Sequence, residues 1–120
     1  MRIAIEATGC DKGFNVVLEG ARRFEEKNKN LELILVAGKD RLPEEFLEVN
    51  EIERIQIVKT ESTFSSWDKI RDKTSSISRA LEMHSSGEVD AVIAPGDTGA
   101  SVYHSFRLFN KIERFRPAIA

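Results

Sequence analysis

Four short apolar runs, RIAIEA, LELILVAG, RIQIVK and VDAVIAPG, recur along this chain with helical or turn-forming stretches between them. No other feature narrows the fold as much. The apolar character of these runs is close to continuous rather than alternating, which suits strands of a parallel sheet covered on both faces. Between the first two, Phe14, Val17, Leu18, Ala21 and Phe24 recur at helical spacing, so FNVVLEGARRFEEKNK is expected to form an amphipathic helix packed through that face. Ile77, Ala80, Leu81 and His84 repeat the pattern in TSSISRALEMHSSG, with Thr74 or Ser75 as cap and Gly87 as stop. The same phase makes His84 a hydrogen-bonded, partly buried residue rather than a catalytic one. Val102, Tyr103, Phe106 and Phe109 mark a further helix starting near Asp97 or Thr98, and RPAIA at residues 116–120 begins another strand. Residues 40–49 allow a short helix with Pro43 near its first turn, and residues 59–73 read as a long loop or lid. Alternating strands and helices point to a single α/β domain over residues 1–120, with right-handed crossovers.

Composition limits what such a domain does. At 120 residues the chain is long enough for one core and too short for two comfortable ones. Its formal net charge of -2 gives no general pull toward nucleic acid or anionic membrane, so charged partners must be met by a local patch. No apolar run approaches the ~20 residues of a spanning helix, no secretory signal is visible, and the single Cys10 forms no internal disulfide. A cytoplasmic address is the default. His, Cys and carboxylates nowhere take metal-site spacing, so no metal is expected, and no nucleophile-elbow or P-loop pattern occurs.

Ligands of open parallel sheets bind beyond the carboxyl ends of the strands. Two loops at such ends carry unusual chemistry. In EATGCDKGFN, Gly9 and Gly13 permit backbone shapes closed to other residues, while Asp11, Lys12 and Asn15 bring an acceptor, a cation and an amide to the helix entrance. Either Asp11 caps that helix and Lys12 is solvated, or the loop holds a ligand. In APGDTGAS, Asp97 or Thr98 either caps the next helix or leaves its free N–H groups to an anion. Two such loops at one sheet edge favour a shared pocket. Arg107, Lys111 and Arg114 recur at helical intervals as a solvated face or as a surface for an acidic protein partner.

With both loops in view, the chain resembles the N-terminal portion of the phosphate acyltransferases of phospholipid synthesis, the PlsX family. The likeness runs through RIAIEATGCDKGFNVVLEGA, DKTSSISRALEMHSSGEVDAVIAPGDTGA and RPAIA, with residues 38–70 the least distinctive. It implies a three-layer, mostly parallel sheet with helices on both faces, of the isocitrate/isopropylmalate dehydrogenase-like and phosphotransacetylase-like kind. It implies formation of acyl phosphate from acyl–acyl carrier protein and inorganic phosphate, without a cofactor. A homo-oligomer, typically a dimer, and peripheral membrane contact also fit the family. Carried across by position, the catalytic set is Asp11, Lys73 and Thr98. The substrate-binding set is Gly9, Gly13, Ser75, Ser76, Gly96, Gly99 and Ala100, joined by Lys12 and Asp97 at positions where the family has other residues.

Five motif positions depart from the family: Glu6 and Thr74 replace aspartates, Cys10 a glycine, Lys12 a histidine and Asp97 an asparagine. Asp97 adds a negative charge beside a phosphate site, which Lys12 or Lys73 must offset. Family members are considerably longer, so the chain is expected to be a fragment or a small relative that oligomerises through an open strand edge. Two other classes stay open. One is a non-catalytic module binding acyl carrier protein or a phosphate ligand. The other is an acetyl-phosphate-handling subunit on the same fold.

Overall fold

A computed structural model describes residues 1–63 and 75–96. The expected helix beginning near Asp97, the strand RPAIA and most of the long loop lie outside the described residues. So do Lys73, Asp97, Thr98, Gly99 and Ala100.

Strands β1 (Arg2–Glu6), β2 (Glu32–Gly38), β3 (Glu51–Ile52), β4 (Ile55–Thr60) and β5 (Ala91–Ile93) form one sheet in the order β3-β4-β2-β1-β5. β1 pairs in parallel with β2 and β5, and β2 in parallel with β4; among the described residues only the β3–β4 pair is antiparallel. Helix α1 (Phe14–Lys27) links β1 to β2, and α2 (Ser76–Ser85) precedes β5. The architecture is α/β, with a mostly parallel sheet.

Side-chain parity divides the core in two. Ile3, Leu33, Leu35, Ile55 and Ile57 point to one face and pack with Phe14, Leu18 and Ala21 of α1. Ala4, Ile34 and Val36 point to the other and meet Ala80 and Met83 of α2, with Val89. β2 serves both, and its residues Leu33–Gly38 are all buried. That is why LELILVAG reads as continuously apolar: each fully buried Leu, Ile or Val contributes about 1.5–3 kcal/mol on whichever face it lies.

Three details differ from the sequence expectation. Phe24, placed on the buried face of α1, is 44% exposed. The contact line of α1 runs through Phe14, Leu18, Ala21 and Glu25, and Phe24 falls to its flank. His84 is exposed because Met83 takes the inward position on α2. The short helix allowed between residues 40 and 49 does form, as the 3-10 turn Glu44–Phe46 with Pro43 at ψ 141° just before it. The two-residue β3 was not anticipated; it closes a hairpin onto β4 through Glu53, whose φ is 56°. Among the described residues no helix is long and apolar enough to cross a membrane.

Candidate functional site

The carboxyl ends of β1, β2 and β4 are tied together by a buried polar network centred on Glu6. This residue ends β1 on the α2 face and is only 2% exposed. A carboxyl group there must find donors, since a buried polar group without partners is costly. The loop that follows supplies them. The N–H of Thr8 donates to Oε1 at 3.0 Å, and the N–H of Gly9 lies 3.0 Å from both oxygens. The Ser76 hydroxyl donates to Oε1 at 2.6 Å from the first turn of α2, and the Thr8 hydroxyl lies at 3.3 Å.

From Thr8 the network continues outward. Its hydroxyl accepts from the Gly38 N–H at 2.9 Å and lies 2.8 Å from the Thr63 hydroxyl. Thr63 in turn donates through its N–H and hydroxyl to Asp40 Oδ1, at 2.9 and 2.7 Å. A parallel bridge between Ser62 and Ser75, with the Ser76 N–H on the Ser62 carbonyl at 2.9 Å, fixes the start of α2 beside the end of β4. The Ser75 hydroxyl caps α2 by accepting from the Ser78 N–H at 3.3 Å.

The two loops singled out in the sequence meet. A Cβ on Gly96 would lie 2.8 Å from the carbonyl carbon and oxygen of Gly9. The Gly9 backbone therefore fills the space a side chain on Gly96 would need, while a Cβ on Gly9 would lie 2.5 Å from Glu6 Oε2. The site holds Gly9, Ser75, Ser76 and Gly96 together on the carboxyl side of the sheet. Asp11 and Lys12 form an exposed turn just beyond, and among the described residues neither side chain has a hydrogen bond or ion pair. Cys10 is half-buried with a free thiol.

Asp11 does not cap α1. Gly13 holds the cap position at φ 87°, with no side-chain hydrogen bond to the first turn. A conformation in that region favours glycine, so the uncapped start is built into the chain. Among the described residues the first N–H groups of α1 thus carry no side-chain cap.

Next to this edge runs an apolar groove of about 300 Å³, at the small end of ligand-sized cavities. α1 lends it Val17, Gly20 and Phe24; the sheet lends Ile5 and Ile93; Pro95, next to Gly96, closes one end. Among the described residues no group of His, Cys, Asp and Glu is arranged to hold a metal ion.

Glu6, Thr8, Asp40 and Thr63 were not among the expected site residues. The parity of β1 was the available signal for Glu6: it shares a face with Ala4, so it points inward, and the glycine three residues later lets the loop fold onto it. The Thr63–Asp40 pairing joins residues 23 apart and left no local trace.

The whole chain, residues 1–120, matches the model of a family described as fatty acid synthesis protein. A phosphate acyltransferase from Aliarcobacter butzleri is 34% identical over 125 residues, covering 100% of this chain and 37% of that relative. One from Polynucleobacter asymbioticus is 35% identical over 127 residues, covering 98% of this chain and 37% of the relative. One from Thermoanaerobacterium thermosaccharolyticum is 32% identical over 126 residues, with 100% and 37% covered. The chain thus spans 37% of the length of these curated relatives.

Proposed function

This chain belongs to the fatty acid synthesis protein family, and on that premise we propose that its two loops hold inorganic phosphate for acyl phosphate formation. The observation that carries the reading is the backbone contact between Gly9 and Gly96. It brings the first loop against the start of the second beyond the ends of the strands, where ligands of parallel sheets bind. The start of α1, which its cap residue Gly13 leaves without a side-chain acceptor, adds backbone N–H groups and the positive end of a helix dipole.

In this reading a phosphate oxygen attacks the carbonyl carbon of an acyl thioester on acyl carrier protein. The new C–O bond forms, the C–S bond breaks, and the proton leaves with the carrier thiol. Lys12 and Lys73 offset phosphate charge, Ser75, Ser76 and Thr98 offer hydroxyls, and Asp11 orients the attacking group. Gly13, Asp97, Gly99 and Ala100 complete the loops. Holding both reactants in line and stabilising the carbonyl oxygen supplies the rate, and no cofactor enters. The groove beside Pro95 receives the first methylenes of the acyl chain. The proposal includes a cytoplasmic setting and a homo-oligomer, since the outer side of β5 is unpaired among the described residues.

The test is phosphate binding by calorimetry, together with phosphate-dependent release of carrier thiol from acyl–acyl carrier protein. Both are measured on a chain shown to unfold cooperatively. Gly96→Val drives a side chain into Gly9, so binding is expected to fall at least tenfold in a folded variant. Unchanged binding would remove the site assignment. Binding without thiol release would favour the non-catalytic module.

A further inference from the structure

The donors that a phosphate would seek on the first loop are already engaged. The Thr8 and Gly9 N–H groups and the Ser76 hydroxyl all point at Glu6, within 2.6–3.0 Å of its carboxyl oxygens. Every contact to Glu6 comes from a donor, and no cation pairs with it among the described residues. A carboxylate and a phosphate are interchangeable to such donors: both are anionic and offer several lone pairs to backbone N–H groups. The side chain therefore stands where an anion's oxygen would stand.

We propose that Glu6 is an intramolecular competitor for the anion, occupying the Thr8, Gly9 and Ser76 donors and setting how weakly the site holds phosphate. The inference rests on the reading of the two loops as a phosphate site, and it assigns that site an affinity-determining residue. Phosphate that uses the first loop either displaces the carboxyl group or sits beyond it against like charge. Both routes weaken binding. The loop is moulded to this occupant, since a Cβ on Gly9 would lie 2.5 Å from Oε2. If Glu6 were only a structural latch, its loss would loosen the loop and lower affinity. A competitor predicts the opposite sign.

The experiment is calorimetric titration of inorganic phosphate into wild type, Glu6→Gln and Glu6→Asp, each checked for cooperative unfolding. Glu6→Gln keeps an amide oxygen for the Thr8 and Gly9 N–H groups and removes the charge, so phosphate affinity is expected to rise about tenfold, the effect of a single partly screened like charge at close range. Glu6→Asp is one methylene too short to serve both the amides and Ser76, and it is expected to raise affinity by a smaller factor. Should Glu6→Gln fail to fold, Glu6→Asp carries the same sign test. Equal or weaker binding in a folded variant overturns the competitor role. The failure of the underlying reading looks different: neither wild type nor variant would bind phosphate, or Gly96→Val would bind as well as wild type.

Discussion

Glycines in this chain answer to different masters, and their substitutions should separate cleanly. A Cβ on Gly38 would run into the backbone and side chain of Thr63, where β2 meets the polar network. Gly20 sits inside α1 with nothing within 4 Å of where a Cβ would go. Gly38→Ala is therefore expected to destabilise the protein by about 1–3 kcal/mol, the usual cost of overpacking. Gly20→Ala is expected to stabilise it by about 0.5–1 kcal/mol, because alanine restricts the unfolded chain and favours helix. Denaturant midpoints on the two variants would check both; a shift of the same sign in each would show that the contacts around Gly38 are not the ones described. At this scale Gly9 and Gly96 were legible as turn residues, but not as each other's neighbours. Glu6 was legible as a departure from a family motif, while its burial needed the fold to be seen.

The start of α2 is the element most dependent on one side chain. Ser75 caps it, and the bridge to Ser62 places that cap against the sheet. Ser75→Ala is expected to cost about 1 kcal/mol. Asp11→Ala should leave stability within about 0.5 kcal/mol, as Gly13 rather than Asp11 stands at the start of α1. Thermal unfolding of both variants measures the contrast, and a comparable loss in each would contradict the Gly13 cap. The elements themselves were mostly readable. β1, β2, β4, α1 and α2 follow apolar runs or helical spacing strong enough to survive without tertiary context. β3 escaped because two residues carry no period. Phe24 and His84 were misplaced because spacing gives the direction of a helix face but not the width of what lies beneath it. The sheet narrows at three-residue β5, which leaves Phe24 at the flank, and Met83 rather than His84 fills the interior of α2.

For the molecule as a whole, the two cores share one strand. β2 lies between β1 and β4 and is covered by α1 on one face and α2 on the other. Its opening requires both cores to open, so its amides should exchange with solvent at the rate of global unfolding. Amides of β3 and β5, at the two edges of the sheet among the described residues, should exchange faster by at least tenfold. Hydrogen exchange resolved by residue tests this, and fast exchange within Leu33–Ala37 would mean that the cores open separately. The division of the core by side-chain parity was visible in the continuous apolarity of LELILVAG. The polar network that closes the top of the same strands was not, since its pairs join distant residues through single hydroxyls.

The two borders of the sheet are unlike. On one side stands β3, two residues long, antiparallel to its neighbour and turned back by a tight hairpin. Such a border makes a poor template for another strand. On the other side stands β5, parallel to β1 and unpaired on its outer side among the described residues. Among the described residues the sheet thus offers one open parallel edge, and it belongs to the strand that leads straight to Gly96. A strand laid against that edge would lie beside the loop contact between Gly9 and Gly96, so whatever pairs with β5 also shapes the ligand edge.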